Sequence, residues 1–442
     1  AKNFAYIKGA DITSTGLVSV RSDATSNAVA NLTTGSSLNG VGVGITVMYA
    51  YAQGEFNAYI ENSSIITPDN IEVLSVYSAK ADSTAAQPKG GSLSFSLADI
   101  SGNTAIATVS SKASAYITNS NLSSELGEIR VESKGTAIAN AIVKGSTLSV
   151  SGVKIALSIA KASLSGEQAA YISGGSAYGQ NGVFVLSEFN KGLASNKGAY
   201  ASLTSSSGAN LSLVSGKANI MLATSAAKNH AYISASAINT PGALSVRVDG
   251  TSNAVATYSE AAAGASLVAI GLLYAQANSN GDFAAYIDLQ DALIEAGSVS
   301  VTNIYSASAE ARSTQPGWGF SFSLASGEFN KAIASVGVNA RAYIIGNHTG
   351  QDEFKGTIIS TGNVTVSVRG TARTFADIAG AKISISGVNV AHNVAEARVS
   401  AEQQAYVSSS RIDALGGLDI STSLTSTDNS ATAGANGGVR WR

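Results

Sequence analysis

The sequence predicts an all-β protein, a repetitive β-solenoid of about eight coils of ~57 residues stacked in parallel and in register. Two recurring motifs and a period-two alternation between them carry that prediction. The first motif is the tripeptide Ala-Tyr-Ile, once Ala-Tyr-Val, with its tyrosine at Tyr6, Tyr59, Tyr116, Tyr171, Tyr232, Tyr286, Tyr343 and Tyr406. Successive spacings are 53, 57, 55, 61, 54, 57 and 63 residues. The second is an apolar-x-apolar triplet that follows most of these tyrosines by roughly a dozen residues: Val18/Val20, Ile71/Val73, Ile129/Val131, Val183/Val185, Leu244/Val246, Val299/Val301, Val364/Val366 and Leu418/Ile420. The residue between each pair is polar except at Phe184.

Between the motifs, runs such as GVGVGITVMYAYAQ and TLSVSGVKIALSIA alternate with a period of two, which is the strand period. No segment carries a helical stripe, and the β-branched and tyrosine content agrees with strands. Asn-Gly at 39–40 and 181–182 and Gly-Gly at 90–91 and 416–417 supply turn chemistry. One such unit cannot bury its apolar face alone, so coils must stack at ~4.8 Å per step. The tyrosines then form a ladder and the triplets a parallel sheet. A slip of one residue would turn Val18 and Val20 outward, so the repeat fixes register. Inward positions filled by Ala28 and Ala30, or Ala160 and Ala162, imply a thin core. Sparse turn signals favour one wide, flattened coil per repeat, with two long strands and a short one, over three short rungs of about 19 residues.

A larger duplication lies above the repeat. KNFAYIKGADITSTGLVSVRSDATSNAVA from Lys2 returns as KNHAYISASAINTPGALSVRVDGTSNAVA from Lys228, and LSVSGVKIA near Val150 returns as ISISGVNVA near Ile385. Residues 1–227 and 228–442 are therefore read as two four-repeat blocks of one continuous solenoid. Insertions lengthen the fourth repeat around EFNKGLASNKG and the seventh with GNHTGQDEF, and are expected to project from one edge.

Composition narrows the function classes. Only 13% of residues are charged and the net charge is −2, which gives no electrostatic reason for a nucleic-acid or anionic-membrane partner. No uninterrupted apolar run is long enough for a transmembrane helix, so membrane insertion is not expected. With no cysteine there is no disulfide, thiolate ligand or thiol nucleophile, a composition that suits export across an outer membrane in an unfolded state. The chain begins and ends inside repeats, and is read as an excised stretch of a longer protein.

Recurrent AYI blocks followed by G-x-V-x-V, with Ala-x-Ala strands between, resemble the repeat regions of large two-partner-secreted exoproteins. These include filamentous-haemagglutinin-like adhesins and leukotoxin-type giant surface proteins. The resemblance spans essentially the whole chain, although the repeat here is longer than the ~19–20-residue coil of the filamentous haemagglutinins. It implies a secreted or bacterial cell-surface protein whose β-helical shaft holds binding regions away from the cell. The implied partners are a host or neighbouring cell surface or a glycan. End-to-end self-association into an extracellular filament or sheet is the alternative, since edge strands are templates for strand addition.

Chemistry is sparse in the sequence. His230, His348 and His392 form no ligand spacing, His230 stands where the duplicate has Phe4, and no cofactor or metal site is expected. GVGVG lacks a following helix and Lys-Ser/Thr, so it is not a phosphate loop. Few carboxylates recur at matched places in the two blocks, which argues against a β-helical carbohydrate-active enzyme. The chain is read as non-enzymatic. Trp318, in QPGWGF, and His348, in the seventh-repeat insertion beside Asp352 and Glu353, are the candidate loop contacts. The eight tyrosines are assigned to a structural ladder, with sugar stacking as their rival role.

Overall fold

Each repeat folds into one coil of three strand segments in the computed structural model, which describes residues 1–33, 41–86, 92–145, 147–195, 197–205, 209–260, 263–348, 354–427, 429–433 and 438–439. An A strand such as Val18–Thr33 or Ile71–Ala86 runs out to a tip. A longer B strand such as Val41–Glu61 returns from it. A short C strand such as Ser64–Thr67 closes the near end. In some coils B and C run on without a break, as in Ser92–Ser124 and Thr147–Gly179. Every A, B and C strand pairs in parallel with its equivalent one coil away, so the coils build one parallel β-solenoid. Among the described residues there is no helix.

The register is the one the motifs dictate. Tyr6 pairs with Tyr59, Tyr59 with Tyr116, and so on to Tyr406. Val20 aligns in the same way with Val73, Val131, Val185, Val246, Val301, Val366 and Ile420. The wide coil with two long strands and a short one is what forms. Residues 227 and 228 lie inside one strand, Ala209–Ser234, so the sequence duplication leaves no architectural seam.

The two long sheets face each other across a thin core. Ala50, Ala52 and Ala58 on B and Ala79, Ala81 and Ala85 on A are all buried. Ser75 Oγ donates to the Phe56 carbonyl across the core at 3.0 Å, and Ser83 Oγ to the Met48 carbonyl at 3.2 Å. A hydroxyl spans the gap only where the backbones approach closer than the ~10 Å of ordinary stacked sheets, so alanine is the residue that fits. Several of the large rings enter this core beside glycine. In one column of the A sheet Tyr77, Phe189 and Tyr305 alternate with Gly135, Gly250 and Gly370. Tyr77 stacks on Phe56 at 5.5 Å and Tyr305 on Phe283 at 5.8 Å, the same pair in each block.

Corners are held by left-handed residues and by hydroxyls that reach the next coil. The turn from B to C uses Gly9 (φ 61), Asn62 (φ 50), Asn119 (φ 48), Ala235 (φ 50) and Ser409 (φ 53), where only Gly and Asn are comfortable. Beside it, Ser120 Oγ accepts from the Ser63 amide at 3.1 Å, and Ser63 Oγ from the Ala10 amide at 3.2 Å. At the next corner Thr67 Oγ1 donates to Gly16 O at 2.7 Å and Ser124 Oγ to Asp69 O at 2.7 Å. These bonds tie turn to turn, so each coil is a template for its neighbour.

The insertions do not share an edge, which corrects the expectation. The seventh-repeat insertion begins as the hairpin Asn347–His348 with Phe354–Lys355, after Gly346 at the near end. The fourth interrupts an A strand between Gly182–Phe189 and Ala199–Ser205, in the middle of a broad face. Asn190 (φ 52) makes the break possible. Its Oδ1 accepts from the Ala137 amide at 2.7 Å and its Nδ2 donates to the Ala137 carbonyl at 3.2 Å, replacing a strand peptide by an amide side chain. The eighth triplet also departs from the core reading: Leu418 and Ile420 keep the register but are exposed, because no B strand lies over them among the described residues.

Candidate binding surface

The tyrosine ladder lies on the outer face of the B sheet, since its neighbours Ala58 and Ile60 are buried. Adjacent rings stand 4.7–5.1 Å apart with interplanar angles of 1–9°, stacked along the whole array. The coil rise therefore falls within the centroid spacing of offset-stacked rings. Burial, reinforced by the phenol one coil on, pushes Tyr116, Tyr171, Tyr232 and Tyr286 up to about 12. Ring faces within the ladder are covered by one another, so sugars have edges and hydroxyls to touch and no interior face to stack on. Beside the ladder runs a column of alternating sign: Lys2, Glu55, Lys112, Glu167, Lys228, Asp282. Lys112 Nζ and Glu167 Oε2 are 2.9 Å apart.

Other predicted site residues are dispersed. His230 faces Asp282, with Nε2 3.4 Å from Oδ2, and Arg341 Nη2 lies 3.1 Å from the other carboxylate oxygen. Those two bases hold the Asp282 carboxyl below the usual range. His392 lies against Phe329 at 6.4 Å. Trp318 sits at the tip, where register with the neighbouring coil is irregular between Gln315 and Gly319; its side chain lies outside the described residues. His348 starts the seventh-repeat hairpin, but its side chain, with Asp352 and Glu353, also lies outside them. The Asn-Gly and Gly-Gly turns at 39–40 and 90–91 are likewise outside. Among the described residues no three His, Asp or Glu converge as a metal site.

What the structure does gather is apolar surface. The tip half of the B sheet turns Val41, Val43, Ile45 and Val47 outward, while Gly42, Gly44 and Thr46 share the inward parity of Met48, Ala50 and Ala52. The same rows continue through later coils, as in Val153, Ile155 and Leu157 of the third B strand and Val268, Ile270 and Leu272 of the fifth. At the tip a groove of about 770 Å³ adjoins them, walled by Leu211, Leu213, Leu267, Phe322 and Leu324 and edged by Ser151, Ser212, Ser266, Ser323 and Ser386. The outer A face is the opposite in character. Arg21–Asp23, Arg130–Glu128, Lys134–Glu132 and Arg247–Asp249 pair along it. Alternation alone does not say which parity points inward. Counting back from Ala50 and Ala52, which match the Ala-x-Ala runs of every coil, is the signal that places Val41 to Val47 outside.

No protein-family model, curated protein or solved structure matches the chain.

Proposed function

We propose that the chain is a structural segment of a secreted bacterial surface adhesin, a rigid β-solenoid section that carries binding regions away from the cell. The observation behind this reading is that the two motifs keep one register through all eight repeats, with no seam at the block duplication. An array of this kind resists bending because each step is held by full-length parallel ladders, stacked rings and corner hydroxyls. The ladder tyrosines, His230, His392 and Asp282 have structural partners, which favours a scaffold over an enzyme. Partners on this reading are a host or neighbouring cell surface or a glycan, met by loops or by regions that the segment displays.

Electron microscopy of the purified chain across a range of concentrations tests the proposal, together with antibody labelling of intact source cells. Discrete rigid particles and labelling without permeabilisation are the expected results. Filaments that lengthen with concentration along the stacking axis would favour the self-assembling reading. Labelling only after permeabilisation would overturn the surface reading.

A further inference from the structure

We infer that the outward apolar face of the B sheet is an interface for a second copy of this chain. It pairs face to face about a two-fold axis that runs along the strands.

The first ground is area. The four rows that start at Val41, Val43, Ile45 and Val47 each run through seven successive strands. Strands at ~4.8 Å and alternate residues at ~6.7 Å give a footprint of about 850 Å². That is larger than the ~300–600 Å² patch an ordinary monomer exposes, and matches the ~800 Å² each partner contributes to a stable interface. The side chains are well out of the protein: Ile45 is 72% exposed, Phe329 48%, Leu272 44% and Leu157 41%. A sheet face whose four rows hold one charged side chain, Lys331, fits another sheet better than a charged partner.

The second ground is that the face is complementary to itself. An axis along the strands places the fourth of the seven strands, the one bearing Ala218, against its own copy, and reverses the order of the others. The first strand then opposes the seventh, the second the sixth and the third the fifth, with each row facing itself. Under that operation Phe329 of the sixth strand falls opposite Gly102 of the second, and Ile100 opposite Gly327. Leu157 meets Leu272, Val153 meets Val268, and Val43 meets Val390. At the margin of the patch Tyr51 meets Arg398, an aromatic face against a cation. Phe329 and Ile100 are therefore set opposite glycine and most aliphatics oppose aliphatics, while Ile45 meets His392, Ile159 meets Tyr274 and Lys331 meets Thr104 in the two rows nearest the ladder. A two-fold interface needs this because one surface must serve both sides. The inference does not depend on the surface-adhesin reading, and lateral pairing differs from end-to-end growth because it closes at two.

The test uses the full chain, whose lack of cysteine makes it a clean background. Ala218→Cys places one thiol on the axis, and Ser245→Cys places one on the outer A face as control. The expected result is a dimer in sedimentation velocity at micromolar concentration. Mild oxidation should then cross-link Ala218→Cys quantitatively and Ser245→Cys at no more than a tenth of that yield. Leu272→Lys, an exposed substitution that leaves the core untouched, should shift the protein to monomer by at least tenfold in dissociation constant with an unchanged circular dichroism spectrum. A wild-type chain that stays monomeric at 100 μM would overturn the proposal. So would equal cross-linking of the two cysteine variants, or open-ended polymers indifferent to Leu272→Lys. Flotation of a monomeric chain with phosphatidylcholine vesicles, abolished by Leu272→Lys, would reassign the face to a lipid surface.

Discussion

Gly135→Ala is the sharpest test of how this core is packed. A Cβ at residue 135 would lie 2.1 Å from Tyr77 Cε1, and 2.4 Å from both Tyr77 Cζ and Gln168 Oε1. Ordinary carbon contacts sit near 3.5–4.0 Å, so more than an ångström must be found. The ring cannot supply it, because Tyr77 is buried and stacked on Phe56. Nor can the amide, whose Nε2 donates to the Ser133 carbonyl at 2.5 Å and the Glu188 carbonyl at 2.7 Å. Relief must come from parting the two sheets, which places the cost at the upper end of overpacking, about 3 kcal/mol. Gly44→Ala is the control: nothing lies within 4 Å of its added methyl, so it should be neutral or stabilise by about 0.5 kcal/mol. Urea unfolding followed by circular dichroism reads both. In a Tyr77→Ala background only the Gln168 contact remains, so the same Gly135→Ala change should cost clearly less, giving a coupling energy of about 1 kcal/mol or more. A cost below 0.5 kcal/mol in the parent, or an equal cost in both backgrounds, would refute the ring-over-glycine packing. Gly370→Ala should repeat the result in the second block, where the new methyl would stand 2.2 Å from the Tyr305 ring.

Three further outcomes follow from the same geometry. Val301→Asp puts an unpaired carboxylate at a fully buried position and should lower the thermal midpoint sharply, with loss of protease resistance in adjacent coils; unchanged melting would contradict the stacked core. The phenols of Tyr116, Tyr171, Tyr232 and Tyr286 are raised from 10.0 to about 12 in the fold, so the stability they contribute is full below pH 10 and is lost as pH rises through 12. Absorbance at 295 nm should show a late-ionising class of tyrosines whose titration coincides with unfolding, and a single reversible class near pH 10 would count against it. Ala235→Gly relieves a left-handed alanine (φ 50) and should stabilise by about 0.5–1 kcal/mol in urea, whereas Asn119→Ala at the equivalent corner (φ 48) should destabilise by a similar amount.

The fold was legible because a solenoid writes its register into its repeats. Eight tyrosines at one motif position can align only one way, and Val20 through Ile420 follow from that alignment. The thin core was readable from Ala160 and Ala162, since side chains so small imply backbones close together. The ring-over-glycine columns were not readable, because Tyr77 and Gly135 are 58 residues apart and neither belongs to a repeated motif. The fourth-repeat insertion looked like an edge loop, and nothing local in EFNKGLASNKG says that Asn190 will impersonate a strand peptide. The apolar outer face was hidden for a different reason. A period of two marks a strand but is silent about its sides, so Val41 to Val47 read as generic strand until Ala50 and Ala52 fix the inward parity.

Coil width bears on what such an array is good for. A B strand of 21 residues such as Val41–Glu61 is about 70 Å long at ~3.3 Å per residue, while eight coils rise only about 35–40 Å at ~4.8 Å per step. A coil of about 19 residues would give the same chain roughly three times the reach. Sequence spent in this way produces breadth: two extended faces, one charged and paired, the other apolar over its tip half. If distance from the cell were the sole demand, narrow coils would meet it with less protein and without an apolar face to keep soluble. The wide coil is explained if a face is itself the working part, because only a broad sheet offers enough flat area to bind another sheet. A segment that is rigid along its axis and associates across its face would thicken a stalk as well as extend it. That joins the scaffold reading to the apolar rows in one physical account.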